Sequence, residues 1–469
     1  MNTKCQVFTP ENYVEKLLDS IGYKENIYGK TIIENSCGDG NILVSIVKRY
    51  IKDCKRKGMT RRRIRNGLER DIYGVEIDSK HYKRCIENLN EILKLEEIDA
   101  VNWKIFNENY LKLKLDIKFS YIVGNPPYIT YSEIHREERE YVKENFITCQ
   151  EGKFDYCYAF IEKSLLSLKR NGKMAYLIPS SIFKTVFGKQ LREEMKRYIT
   201  KIIDYTEETV FDKALVKSAI MVLEKKSRRN NIIQYVNDIN KHKILIHTNT
   251  LEEKWFFTNN KNEGVKKFGD YFKVSHVVAT LLNEAYVVKK WSEMEDYIKV
   301  DDYCIEKEVI RETATPRIKK NNKKELIVFP YSYIDKRLVR YSVKEFEKKF
   351  PFASVYLKRN EKKLRDRKSD KSTSWFEYGR TQALADLDNE KLLISTVITK
   401  QVYVYKLDRE CIPYAGLYIV PKTKEMSLDK AKEILESDAF MNYVKDVGIH
   451  ISGNSLRITS KDIMNFYFE

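Results

Sequence analysis

The stretch Thr31-Ile32-Ile33-Glu34-Asn35-Ser36-Cys37-Gly38-Asp39-Gly40-Asn41-Ile42-Leu43 decides the fold. A short apolar run enters a polar, glycine-bearing loop. It leaves that loop into a segment whose apolar positions Ile42, Leu43, Ile46, Val47 and Tyr50 fall on one helical face. Strand, loop, helix is the repeating unit of an α/β domain, and the rhythm recurs: Ile72 to Ile77 before His81 to Leu95, Tyr121 to Gly124 before Phe154 to Leu168, Met174 to Ile178 before Lys189 to Ile199. Such alternation predicts a mainly parallel sheet, with ligands at the carboxyl ends of its strands.

Charge narrows the ligand of the first loop. Glycine lets backbone approach a ligand closely, but Leu43 stands where a dinucleotide fingerprint needs its third glycine, and the loop carries Glu34 and Asp39. Acids disfavour a pyrophosphate and suit a cation. S-adenosylmethionine, with its sulfonium and ammonium, therefore fits better than NAD, and Glu34, Ser36 and Gly38 are the candidate contacts. The next strand runs into Glu76 and Ile77, which puts a carboxylate at a strand tip where it accepts both hydroxyls of a ribose. Between Lys48 and Asp71 a basic stretch, including Arg61-Arg62-Arg63 and Arg65, lengthens the spacing from loop to acid; it reads as an inserted helical excursion with a solvated charged face.

The second informative stretch is Asn125-Pro126-Pro127-Tyr128, at the end of the apolar run Phe119 to Val123. Proline is scarce, nine in 469 residues, so an adjacent pair between an amide and an aromatic ring is unlikely to be accidental. The pair fixes φ and removes N–H donors, leaving carbonyls free to point into a site. An exocyclic amino nitrogen on a purine is a poor nucleophile because its lone pair is delocalised into the ring. Two acceptors, the Asn125 side-chain oxygen and the Pro126 carbonyl, each taking one amino hydrogen, localise that lone pair towards a methyl donor. Tyr128 supplies a face for the base. The tetrapeptide reads as a site for methylating an amino group.

Composition sets outer bounds. The 469 residues suffice for two domains with separate cores. A formal charge of +18, from 86 Lys and Arg against 68 Asp and Glu, suits a polyanionic partner, although an AT-rich genome also favours lysine. Eight scattered cysteines with no C-x-x-C pair argue against a zinc site and for a reducing cytoplasm. No apolar run approaches the ~18 residues of a membrane span, so the protein is expected to be soluble and intracellular, with no metal.

Taken in this order, the glycine loop, the acid and the Asn-Pro-Pro-Tyr resemble the γ-class N6-adenine DNA methyltransferases of the TaqI-like type. Upstream, Val7-Phe8-Thr9-Pro10-Glu11 is similar to the family's N-terminal cofactor segment, which makes Thr9 a cofactor contact. Downstream, Gly152 to Phe160 resembles the aromatic helix start near the cofactor adenine, and Asn171 to Pro179 the strand that follows. The run Thr209-Val210-Phe211-Asp212 resembles the segment whose aromatic stacks on the target base, which makes Phe211 the second face of a clamp opposite Tyr128. One departure stands out. Where the family has an acid after the third strand, the chain has Asn107-Glu108-Asn109; Asn109 keeps an acceptor oxygen without the charge, and Glu108 is the counterpart if the register shifts by one.

The resemblance implies an α/β, Rossmann-like S-adenosylmethionine-dependent methyltransferase domain over residues 1–231 and a mixed α+β DNA target-recognition domain over 232–469. It implies transfer of a methyl group to N6 of a flipped-out adenine in double-stranded DNA. In the C-terminal half, basic and aromatic residues interleave over Lys319 to Lys324, Tyr356 to Arg367 and Trp375 to Arg380, as on a surface that grips phosphates and stacks on bases. Arg380 and Trp375 are its candidate DNA contacts. With the pattern beginning at residue 7, no fused nuclease is expected, and a separate restriction endonuclease stays open as a partner. Two other readings compete: methylation of RNA adenine or of a protein glutamine amide by the same tetrapeptide, and a catalytically inactive DNA-binding protein.

Overall fold

A computed structural model describes residues 9–205, 217–226, 231–238, 243–257, 265–451 and 454–469. The chain divides into two compact units, Met1–Asn259 and Asn260–Glu469. In the first, the elements follow in the order α1 (Glu11–Ser20), β1 (Ile32–Glu34), α2 (Asn41–Arg56), α3 (Arg61–Asp71), β2 (Ile72–Val75), α4 (Ser79–Leu95), β3 (Lys104–Phe106), β4 (Phe119–Gly124), α5 (Arg136–Asn145), α6 (Cys157–Ser167), β5 (Leu168–Pro179), α7 (Lys189–Met195), β6 (Ile199–Asp204), β7 (Ser218–Glu224), β8 (Ile232–Asn237) and β9 (Lys243–His247).

All nine strands join one sheet in the order β3-β2-β1-β4-β5-β7-β6-β8-β9. The first five are parallel, with Ile32 in register with both Ile72 and Tyr121, and β7 enters antiparallel between β5 and β6. The two-residue period of a strand sends neighbours to opposite faces. Ile32, Tyr121, Val123, Ala175 and Leu177 meet α1, α2 and α4 through Val14, Leu17, Ile46, Val47, Leu89 and Ile92. On the other face, Ile33, Ile122, Met174 and Tyr176 meet the helices through Val142, Ala159, Phe160 and Leu191. Strands buried on both faces explain the continuous apolar runs in the sequence.

The basic excursion is α3. Ile64, Gly67 and Leu68 are its buried face, while Arg61 pairs with Glu97 and Arg65 with Glu69 at the surface. The expected break after residue 231 does not coincide with the division of the chain. The alternating strands β8 and β9 extend the main sheet, β8 pairing with β6, so the first unit runs on to Asn259.

The second unit is mixed, with many short strands. Phe272–His276, Leu417–Pro421, Lys391–Ile394 and Val404–Leu407 make one four-stranded sheet, and Val287–Val288, Glu325–Val328, Ile310–Ala314 and Ile412–Pro413 make another. Tyr286, Tyr331, Tyr356, Phe376, Tyr378 and Tyr418 fill an aromatic core. Together the units have the expected α/β plus mixed α+β character.

Candidate active site

In the order β3-β2-β1-β4-β5, chain connections diverge on either side of β1. The crevice at the carboxyl ends of β1 and β4 is therefore the topological switch point where open α/β sheets bind ligands. A cavity of about 530 Å³ lies there, a volume suited to a nucleoside-sized ligand. Its wall includes Glu34 at the end of β1, Ser36 and Gly38 in the loop that follows, Glu76 and Ile77 after β2, Asn109 after β3, and Asn125 and Pro127 after β4, with Thr9 before α1. All seven candidate cofactor residues thus meet at one cavity, together with two residues of the tetrapeptide.

The glycine loop is shaped by close approach. Gly38 and Gly40 have φ of 52° and 88°, and a Cβ on Gly40 would come within 2.7 Å of the Cys85 sulfur on α4. Only glycine fits such a left-handed, crowded position. Glu76 fixes the loop from the neighbouring strand: its Oε2 accepts the Gly38 N–H at 2.7 Å and its Oε1 the Asp78 N–H at 2.8 Å. A hydroxyl reaches the tetrapeptide, Ser36 Oγ donating to the Asn125 carbonyl at 3.1 Å. Loop and tetrapeptide are therefore one braced constellation. Pro126 is buried, and Asn125, Pro127 and Tyr128 are half-buried, with the Tyr128 ring packed against the core of the sheet.

Glu34 is the most telling side chain. It is 2% exposed, its Oε2 has no hydrogen-bond partner among the described residues, and burial, reinforced by Cys85 and Glu76, pushes its carboxyl well above the usual range. The Leu43 backbone N–H answers one side of the carboxyl, but an ionised Oε2 left buried without a partner is costly unless a cation meets it. The remaining wall is rich in acids, with Asp78, Glu108, Glu133, Glu137 and Glu138. This donor set fits the ammonium and sulfonium of S-adenosyl-L-methionine and not a pyrophosphate.

At the departure after β3, Asn109 is the residue whose side chain is engaged at the wall. Its Oδ1 accepts the Leu111 N–H at 2.9 Å, and its Nδ2 donates to Glu138 at 3.1 Å. Glu138, on α5, also accepts from the Tyr156 hydroxyl at 2.6 Å and pairs with Lys112 at 2.7 Å. Burial alone would raise its carboxyl; Lys112, Tyr156 and Asn109 outweigh burial and hold it below the ordinary value. An ionised carboxylate thus stands on this wall, carried by a different element. Sequence reasoning missed it, because Arg136-Glu137-Glu138-Arg139-Glu140 looks like any solvated helix start.

Other expectations fall elsewhere. Phe211 lies outside the described residues. Trp375 was expected to offer a stacking face; it is 7% exposed, packs edge-on against Phe376 at 5.8 Å and carries the Arg365 guanidinium on its ring, so its surface goes to the core of the second unit. Arg380 is partly exposed and pairs with Asp370 at 3.0 Å. No cluster of metal-ligating side chains occurs among the described residues, and the seven described cysteines are free. No helix among the described residues is long and apolar enough to cross a membrane.

Residues 25–211 match the family described as Eco57I restriction-modification methylase. Among curated relatives, the Type II restriction enzyme and methyltransferase RM.Eco57I of Escherichia coli is 24% identical over 65% of this chain and 35% of its own length. The Type II methyltransferase M.BstVI of Geobacillus stearothermophilus is 25% identical over 49% of this chain and 44% of its own. The chain thus spans less than half of either relative. Among solved structures, the Type IIL restriction-modification enzyme MmeI in complex with DNA matches 97% of this chain and 64% of its own, with a TM-score of 0.58 at 15% identity, which shows a shared fold. Residues 25–211 are thus similar to the methylase of the Eco57I restriction-modification family, and S-adenosyl-L-methionine is the cofactor expected at the cavity they line.

Proposed function

We propose that this chain is a site-specific DNA adenine methyltransferase of a restriction-modification system, acting in the cytoplasm on N6 of an adenine rotated out of the duplex. The observation that carries this reading is that Asn125 and Pro127 share one cavity with Glu34 and Gly38, and that Ser36 ties the two loops together. S-adenosyl-L-methionine supplies a methyl group activated on a sulfonium. The chain's own residues do the rest. Glu34 receives the ammonium, Glu76 and Ile77 hold the nucleoside, and Thr9, Ser36, Gly38 and Asn109 complete the cradle.

On the substrate side, the Asn125 side-chain oxygen and the Pro126 carbonyl accept the two amino hydrogens and localise the nitrogen lone pair, while the stiff Pro126-Pro127 pair holds the geometry. Tyr128 and Phe211 stack on the flipped base, repaying the few kcal/mol that extrusion costs. Positioning then suffices for an in-line displacement. The methylated amino group is acidic enough that no strong general base is required. Arg380 and its surroundings contact DNA; any restriction endonuclease partner is separate or linked, as in the relative that carries both activities.

The test is long-read modification sequencing of DNA from a methylation-free host expressing the protein. N6-methyladenine at one recurring motif is expected, and none from Asn125→Ala, which should still bind DNA. Unmodified DNA with folded wild-type protein overturns the reading in favour of RNA or protein substrates, or of an inactive binder.

A further inference from the structure

The strands Tyr331–Ile334 and Arg337–Arg340 form a two-stranded sheet of their own. Asp335 and Lys336 join them with φ of 49° and 64°, the two positive values of a type I′ turn, here without the glycine that usually relieves it. Retained backbone strain of this kind points to a segment kept for what it presents. Register assigns the two faces. Tyr331 pairs with Arg340 and Tyr333 with Leu338; Ser332 pairs with Val339 and Ile334 with Arg337.

The first face is anchored. Tyr331 is buried, Tyr333 and Leu338 pack on the aromatic core, the Tyr333 hydroxyl donates to the Leu384 carbonyl at 2.6 Å, and Arg340 forms a two-pronged pair with the buried Glu377, both bonds at 2.6 Å. The opposite face is more open, although Val339 and Ser332 are half-buried and Ser332 accepts from the Tyr341 hydroxyl at 3.0 Å. Ile334 is 61% exposed beside Arg337, Val339 follows it, and neither Lys336 nor Arg337 makes an ion pair among the described residues.

Charge identifies what covers this face. Residues 311–371 carry 20 Lys and Arg against 8 Asp and Glu, an excess that makes up two thirds of the chain's +18. A protein partner or a second copy would have to answer that excess with acids; a nucleic acid does so along its whole length. A two-stranded ribbon is also one of the shapes that the major groove admits.

We infer that the 331–340 hairpin enters the major groove of duplex DNA, with Arg337 reading a guanine edge, Ile334 and Val339 meeting apolar base edges such as a thymine methyl, and Lys336 contacting a phosphate. The inference rests on the proposed function for its substrate and adds the element that selects the sequence. A β pleat places Arg337 directly across from Ile334, so the two side chains address neighbouring base pairs.

The test compares wild-type protein with Arg337→Ala, Ile334→Ala and Lys336→Ala, all surface changes, by modification sequencing and by fluorescence anisotropy against a duplex bearing the motif over a series of salt concentrations. Arg337→Ala should weaken motif binding about ten- to a hundredfold and relax one position of the methylated motif. Lys336→Ala should lower the salt slope by about one while leaving the motif intact. An unchanged motif, dissociation constant and salt slope in all three variants, with wild-type methylation present, overturns the hairpin assignment alone. Absence of any wild-type methylation overturns the proposed function instead, and the anisotropy series on random-sequence duplex still decides whether the hairpin touches DNA. Loss of self-association in Ile334→Ala, seen by sedimentation with DNA affinity intact, assigns the face to a second copy and also overturns it.

Discussion

At the scale of single residues, the proposed cofactor site depends on whether Glu34 is charged. Its folded carboxyl is raised by burial, then by Cys85 and Glu76, above the usual carboxylate range near 4.5. The unliganded fold favours the protonated acid, so it loses stability as pH rises from the unfolded carboxylate range through the raised value. A cationic ligand reverses the balance: it favours the ionised carboxylate and releases a proton on binding. Affinity for S-adenosyl-L-methionine should therefore climb with pH through the raised range and level off once Glu34 is ionised without ligand. Glu34→Gln should remove that slope and cost about 1.5–3 kcal/mol at the plateau, the worth of a charge-assisted hydrogen bond. Titration calorimetry in buffers of different ionisation enthalpy measures both; a flat profile with no proton release would rule Glu34 out as the ammonium's partner. That Glu34, Glu76 and Asn125 would meet at one cavity was legible because short glycine- and proline-rich loops at strand ends have few conformations. Glu138 was not, since its role depends on where α5 folds back relative to Asn109. Trp375 misled for a related reason: an aromatic among basic residues reads the same in sequence whether its ring faces solvent or core.

Elements show a similar contrast. The alternation of strands and helices from Ile32 to Ile199 was legible because parallel strands buried on both faces leave dense apolar runs between amphipathic helices. The strands of the second unit, mostly two to five residues long, leave no comparable period. Hidden as well were charged side chains that turn inward. Lys163, on α6, sends its ammonium to the carbonyls of Tyr110, Leu111 at 3.0 Å and Leu113 at 2.6 Å, pinning the loop that carries Asn109 and Lys112 along the cavity wall. A helical lysine ordinarily reads as solvated. Lys163→Met keeps the apolar stem and removes all three donors, which should cost about 1–3 kcal/mol of stability. Because the released loop also carries part of the cavity wall, affinity for S-adenosyl-L-methionine should fall as well. Thermal unfolding and a cofactor titration check the two effects separately. An unchanged midpoint would mean that the loop is held by other contacts, such as the Tyr141 hydroxyl on the Leu111 carbonyl at 3.2 Å.

At the scale of the molecule, every residue lining the cavity at the switch point belongs to the unit Met1–Asn259, whereas the basic stretch 311–371 lies wholly in Asn260–Glu469. The break between them was not legible. Ile232 onward departs from the strand-helix rhythm, yet β8 and β9 extend the main sheet beyond β6, with β9 at its edge, and a sequence period cannot say which sheet a strand will join. This division makes a prediction about fragments. Cutting after residue 231 removes the two strands that cover β6 and exposes a sheet edge, so a 1–231 fragment should aggregate. A 1–259 fragment keeps the sheet whole and the cavity lining complete, and should bind S-adenosyl-L-methionine with the affinity of the full chain while losing sequence-selective DNA binding. The 260–469 fragment should retain DNA binding whose logarithm falls steeply with the logarithm of salt, because its affinity is carried by counterion release at the lysines and arginines of 311–371. Size-exclusion behaviour, cofactor calorimetry and salt-dependent anisotropy of the three fragments measure these outcomes. A soluble, cofactor-binding 1–231 fragment would show that β8 and β9 are dispensable to the first unit, and salt-insensitive DNA binding by 260–469 would remove the basic stretch from the interface.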